Sequence, residues 1–123
     1  MPKVLVIDDD VLVRDTIVRI LERKGYQTLA APDGRRGLNI FRSEQPDLVI
    51  TDIIMPEKEG LETIREIHDE RPGAKILAIS GGSRIGNVDF LEFAGKLGAC
   101  EILPKPFDPA ELLDHVGRCL GRG

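Results

Sequence analysis

At 123 residues, with 41% apolar content and a formal net charge of -4, the chain has room for one compact domain and no second, burying roughly two thirds of its unfolded surface. The acidic balance and the 4% aromatic content exclude the basic field and the stacking platforms that a direct nucleic-acid binder needs. No apolar run approaches the ~20 residues of a membrane span, and Met1-Pro2-Lys3-Val4 opens without a signal-peptide pattern, so no membrane partner and a cytoplasmic location are expected.

In chain order, Val4 to Ile7 is a short β-branched run that reads as a strand, and it ends in Asp8-Asp9-Asp10. Helical spacing follows, with Val13, Ile17, Ile20 and Leu21 on one face and Arg14, Asp15, Arg19, Glu22 and Arg23 on the other. Asp10 stands where it can cap that helix. A weaker second strand runs from Tyr26 to Ala31, after Gly25. The third, Leu48 to Thr51, ends in Asp52. Leu61, Ile64 and Ile67 recur every three residues among charged neighbours, which predicts another helix.

The fourth strand, Lys75 to Ile79, ends in Ser80-Gly81-Gly82. Beyond it a helical segment carries two apolar rows, Val88, Leu91 and Ala94 in one and Phe90, Phe93 and Leu97 in the other. One row suffices for the core, so the second either packs deeper than usual or marks a partner surface, the latter being the preferred reading. The fifth strand, Glu101 to Leu103, runs into Pro104-Lys105-Pro106. The last helix has Asp108 as cap, Pro109 at its first position and Glu111 reaching back, with Leu112, Val116, Cys119 and Leu120 along one side. Gly25, Gly73 and Gly98 punctuate helix ends. Cys100 and Cys119 read as two ordinary thiols, and His68 and His115 as surface or half-buried residues without metal partners.

Alternating strands and helices, with strands apolar enough to be covered on both faces, predict an α/β fold, a five-stranded parallel sheet in a (βα)5 three-layer sandwich. In such sheets ligands collect beyond the carboxyl ends of the strands. That edge would gather Asp8, Asp9 and Asp52, the Ser80 hydroxyl and the Lys105 ammonium. Clustered carboxylates repel one another, and a hard divalent cation such as Mg²⁺ relieves the repulsion. Beside such an ion, Asp52 is suited to attack a phosphoryl group, with Lys105 neutralising the oxygens, Ser80 donating to one of them and Gly81 leaving room and a bare N–H.

These residues carry a resemblance. Asp52-Ile53-Ile54-Met55-Pro56-Glu57-Lys58-Glu59-Gly60 is similar to the D-x-x-M-P-x-x-x-G turn of response-regulator receiver domains in bacterial two-component signalling, and Pro104-Lys105-Pro106-Phe107 to their K-P-F element. With Asp8, Asp9 and Ser80 each at a strand end, the whole chain, 1–123, resembles one receiver domain of the chemotaxis-regulator-like superfamily. The resemblance implies a flavodoxin-like strand order, 2-1-3-4-5. It implies Asp52 as the phosphorylated residue and Mg²⁺ held by Asp9, Asp52 and the Ile54 carbonyl, with Asp8 acting through a water. It also implies Ser80 as the switch hydroxyl and a cis Lys105-Pro106 bond that aims the lysine inward.

By the same resemblance the phosphoryl donor is a sensor histidine kinase, a histidine phosphotransfer protein or a small acyl phosphate, and the response passes through the fourth helix, fifth strand and fifth helix to a downstream protein or a second copy. Two departures bear on that output. Ile102 stands where most members have a switching Tyr or Phe, and the stretch from Ser80 to Lys105 is longer than usual and glycine-rich at its start. A stand-alone receiver is expected. The rivals are a haloacid-dehalogenase-like phosphatase, for which Asp8-Asp9-Asp10 supplies D-x-D but no late acidic pair follows, a flavodoxin-like cofactor binder, and a phosphorylation-independent interaction domain. Independent enzymatic turnover is not expected.

Overall fold

Five strands form one parallel sheet in the order β2-β1-β3-β4-β5: β1 (Lys3–Ile7), β2 (Gln27–Ala31), β3 (Leu48–Asp52), β4 (Ile76–Ser80) and β5 (Glu101–Pro104). The protein is described here from a computed structural model, which covers residues 2–52, 59–80, 101–104 and 106–121. Its helices are α1 (Val11–Arg23), α2 (Gly34–Glu44), α3 (Glu59–Glu70) and α4 (Pro109–Cys119). The double-rowed segment 88–97 lies outside the described residues, so α4 is the helix expected after the fifth strand.

Side chains alternate across a strand, and here both sets are apolar because both faces are covered. Val4, Val6, Leu48, Ile50, Leu77, Ile79 and Leu103 meet Ile17 and Leu21 of α1 and Leu112 and Val116 of α4. The alternate set, Leu5, Ile7, Val49, Ile76 and Ala78, meets Leu38 and Phe41 of α2 and Ile64 and Ile67 of α3. Each such side chain taken out of water contributes about 1.5–3 kcal/mol.

Local signals set the helix ends. The Asp10 carboxylate accepts from the backbone N–H groups of Leu12 at 2.9 Å and Val13 at 3.4 Å, so the expected cap of α1 is present. Asp33 caps α2 by accepting from Arg36 N at 2.8 Å. Asp108 and Glu111 exchange hydrogen bonds of 2.8 and 2.9 Å in the expected box at the start of α4. After α1, Gly25 takes a φ of 99°, a conformation that costs glycine little and turns the chain into β2. α2 ends differently, on Gln45 in the left-handed region at a φ of 49°.

Gly37 of α2 packs directly on the Ile7 side chain of β1. A methyl group on Gly37 would come within 2.3 Å of the Ile7 Cδ1, so the Ile7 side chain would have to shift to admit one.

One expectation is corrected. Cys119, read as an ordinary thiol, is disulfide-bonded; the chain's other cysteine, Cys100, lies outside the described residues. The physical reason is that α4 packs against β5 and brings its last turn to the beginning of the strand. Arg118 Nη1, from the residue before Cys119, lies 3.7 Å from the Oε1 of Glu101, the residue after Cys100.

Candidate acidic site at the carboxyl edge of the sheet

The chain leaves β1 toward β2 on one side and returns in β3 on the other, so β1 and β3 flank the point where the strand order reverses. A crevice opens beyond the strand ends at such a point. Ile7 pairs in register with Thr51, and Asp52 with Ile79. Asp8 and Asp52 therefore emerge beside each other, with relative exposures of 1% and 5%, while Asp9 stands exposed at the mouth. Carboxylate oxygens of Asp8, Asp9 and Asp52 lie within 4.8 Å of one another.

The backbone around the acids is tied down. Asp8 N donates to Ala31 O at 3.2 Å, and Asp10 N donates to the Asp8 Oδ1 at 2.9 Å. Arg14 Nη1 donates to Asp8 O at 2.7 Å. Under Asp52, the fully buried Thr51 hydroxyl donates to the Asp52 carbonyl at 3.3 Å. Three closely spaced carboxylates, two of them shielded from water, are stabilised together by a cation. The donor set is all oxygen, which suits a hard ion of the Mg²⁺ type. Asp10 is turned into its helix cap instead.

Register also sets Ser80, at the end of β4, opposite Pro104, the residue before Lys105. Ile54, Gly81, Lys105 and the Lys105-Pro106 bond lie outside the described residues, as do Met55 and Pro56. Ile102 is half-buried opposite Ala78, against the cluster under α2 and α3. His115 receives no metal partner among the described residues; its Nδ1 sits 2.9 Å from Glu111 O and its Nε2 3.6 Å from the Glu101 Oε1. His68 joins no metal-type cluster there either.

Two features beside the site escaped the sequence reading. Leu12 is 75% exposed and Val11 51% exposed, just after the acidic run. Leu12 lines a shallow apolar groove of about 290 Å³ with Val13, Thr16, Ile17, Pro106 and Phe107. Its signal in the sequence was an apolar residue off the buried row of α1. Arg14 was assigned to the polar face of that helix, whereas its guanidinium turns back to the end of β1.

The model of the response regulator receiver domain matches residues 4–117. The response regulator MprA of Mycolicibacterium vanbaalenii is 35% identical over 98% of this chain and 51% of its own length. The transcriptional regulatory protein CpxR of Escherichia coli (strain K12) is 32% identical over 99% of this chain and 50% of its own. The chain thus spans about half the length of these curated relatives. Among solved structures, a CheY-like receiver domain protein from Methanospirillum hungatei JF-1 superposes with a TM-score of 0.90 at 30% identity, covering 98% of this chain and 94% of that one. The receiver domain of NtrX from Brucella abortus gives 0.89 at 31% identity, covering 98% and 99%.

Proposed function

The chain belongs to the response regulator receiver domain family of two-component signalling, and from that premise we propose that Asp52 is its phosphoacceptor and that the acidic cluster holds Mg²⁺. The observation that carries the reading is the approach of Asp8, Asp9 and Asp52 within 4.8 Å at the strand-order reversal. Asp9, Asp52 and the Ile54 carbonyl would hold the ion, with Asp8 acting through a water, and it would supply positive charge for the phosphoryl oxygens.

The remaining work falls to the chain itself. An Asp52 carboxylate oxygen forms a bond to phosphorus as the bond to the donor's imidazole nitrogen breaks. The bonding pair stays on that nitrogen, which is protonated from water. Burial of Asp52 at a strand end restricts the approach to its carboxylate. Lys105 and the Gly81 N–H offer donors to the new dianion, and the Ser80 hydroxyl moves toward it as the switch. Ile102 follows by packing, since it has no hydroxyl to report its position.

The partners we assign are a sensor histidine kinase or a histidine phosphotransfer protein upstream, and downstream a protein or second copy bound through segment 88–97, β5 and α4. Residues 1–123 act as one receiver unit, in the cytoplasm; where it is joined to an effector domain, control of transcription is the output. The family is a signalling family, and the phosphatase alternative is not favoured. Self-catalysed gain and loss of the phosphoryl group is the extent of its chemistry.

Incubation with acetyl phosphate and Mg²⁺ followed by intact-mass measurement tests the reading. One hydroxylamine-labile phosphoryl group is expected on the unmodified protein and none on Asp52→Asn. Equal labelling of both removes Asp52 from the role.

A further inference from the structure

Asp9 is the exposed member of the acidic trio, and an exposed carboxylate is held in place only as well as its backbone is. Arg14 engages the backbone carbonyls on both sides of Asp9. Arg14 N donates to Asp10 O at 2.9 Å, while Arg14 Nη1 donates to Asp8 O at 2.7 Å. Between these two bonds lies the peptide that carries Asp9. A third bond, Asp10 N to the Asp8 Oδ1 at 2.9 Å, closes the turn from inside.

We infer that Arg14 is a positioning residue that fixes the Asp9 carboxylate for a small, geometrically demanding cation and so sets the preference of the site for Mg²⁺ over Ca²⁺. The inference rests on the reading of the cluster as a divalent-cation site. Its physical basis is the difference between the two ions. Mg²⁺ demands near-octahedral ligands at about 2.0–2.1 Å, whereas Ca²⁺ accepts irregular sets at about 2.3–2.6 Å. A turn clamped at both carbonyls suits the first, and a slack turn penalises it more than the second. Groups that orient a metal ligand typically carry about 10–100-fold in metal affinity.

The guanidinium also brings a positive charge to the site, and that charge acts in the opposite direction. Removing it by Coulomb's law alone strengthens the binding of both divalent ions to a similar degree. Positioning and charge therefore predict different signs, which makes the two separable. Arg14→Met removes the hydrogen bond and the charge while keeping the bulk of the stem. Arg14→Lys keeps the charge but replaces the planar fork with a shorter, rotating donor group.

The test is a titration of the full chain with Mg²⁺ and, separately, with Ca²⁺, followed by the backbone amide NMR shifts of Asp9 and its neighbours. In both variants the Mg²⁺ affinity is expected to fall on the order of tenfold and the Ca²⁺ affinity by a much smaller factor, so the ratio collapses. Amide shifts in β4 and α4 that match the unmodified protein identify a folded variant. If both ions tighten in Arg14→Met, charge governs and positioning is overturned. If both ratios equal that of the unmodified protein, Arg14 has no part in selection. Failure of the unmodified protein to bind either ion sinks the metal-site reading itself, a result distinct from the other two.

Discussion

Ile7 and Thr51 are register partners on β1 and β3, so the residues that follow them, Asp8 and Asp52, leave the sheet side by side although 43 positions separate them in sequence. Neighbouring strand ends thus assemble the charge that defines the site.

Two adjacent acids have separable duties. Asp9→Ala is expected to weaken Mg²⁺ binding markedly with little change in stability, because Asp9 is exposed and contributes to the cluster. Asp10→Ala is expected to cost about 1 kcal/mol, the usual value of a helix cap, and to leave Mg²⁺ affinity nearly unchanged. Metal titration and urea denaturation of both variants check this, and the reverse pattern exchanges the assignments.

A donor protein that delivers a phosphoryl group to Asp52 must cover the surroundings of the site, where Leu12 presents its side chain to water. Leu12→Lys is expected to slow transfer from a phosphohistidine protein by about five- to thirtyfold, the equivalent of one or two kcal/mol of docking energy. Labelling by acetyl phosphate, which needs no docking, is expected to proceed at the original rate. Equal slowing of both reactions rules the docking role out.

Ile67, wholly buried under the sheet on α3, fills space among Leu38, Phe41 and Ile64. Ile67→Ala is expected to lower stability by about 2–5 kcal/mol through lost burial and the cavity left behind, as read by the midpoint of urea unfolding.

The legible part of the fold followed from burial on two faces. Strands such as Val4–Ile7 read clearly because both of their side-chain sets are apolar, and the Asp108 cap because its chemistry is local. α2 was reached only through the alternation of elements. Asp33 caps its start, but its first residue is a glycine and it stops on a left-handed Gln45 where glycine is usual. At the site, Asp8, Asp9 and Asp52 were legible because a strand end determines where they go. The destination of Arg14 was not, since a long side chain on a polar face can reach solvent or return to the strand, and only the seating of α1 decides. The state of Cys119 depended likewise on the path of α4 along β5.

Arg42 of α2 donates from Nε to both carboxylate oxygens of Glu70 on α3, at 3.1 and 3.0 Å, and from Nη2 to one of them. The hydrogen bond from Arg42 holds the Glu70 carboxyl below its ordinary range, and the bond to Glu70 raises Arg42 in turn. A depressed folded-state value means that the contribution is present above the unfolded glutamate range and is lost as pH falls through the folded one. Glu70→Gln is therefore expected to be slightly less stable than the unmodified protein at neutral pH, with the gap closing on acidification and on adding salt, because the pair is exposed. Urea midpoints measured across that range provide the check; a gap that widens in acid contradicts the assignment.

With Cys119 in a disulfide, thiol alkylation of the non-reduced protein is expected to leave it unlabelled, and Cys100→Ser is expected to expose it to the reagent. Reduction is expected to lower stability by about 3 kcal/mol, the value for a loop of comparable length. Labelling of Cys119 without reductant argues against the bond.

The bare Cα of Gly37 rests on the Ile7 side chain, the one side chain that separates α2 from β1 at this point. Such a joint has little freedom to slide, because each small displacement presses the helix onto side-chain carbons already in contact. The amides of Leu5 to Ile7 and of Leu38 to Phe41 are then expected to exchange with deuterated solvent only when the whole domain opens, marking a slow-exchanging block behind the acidic crevice. Whatever motion the domain makes in response to a signal is borne by its other parts, against a floor that stays still.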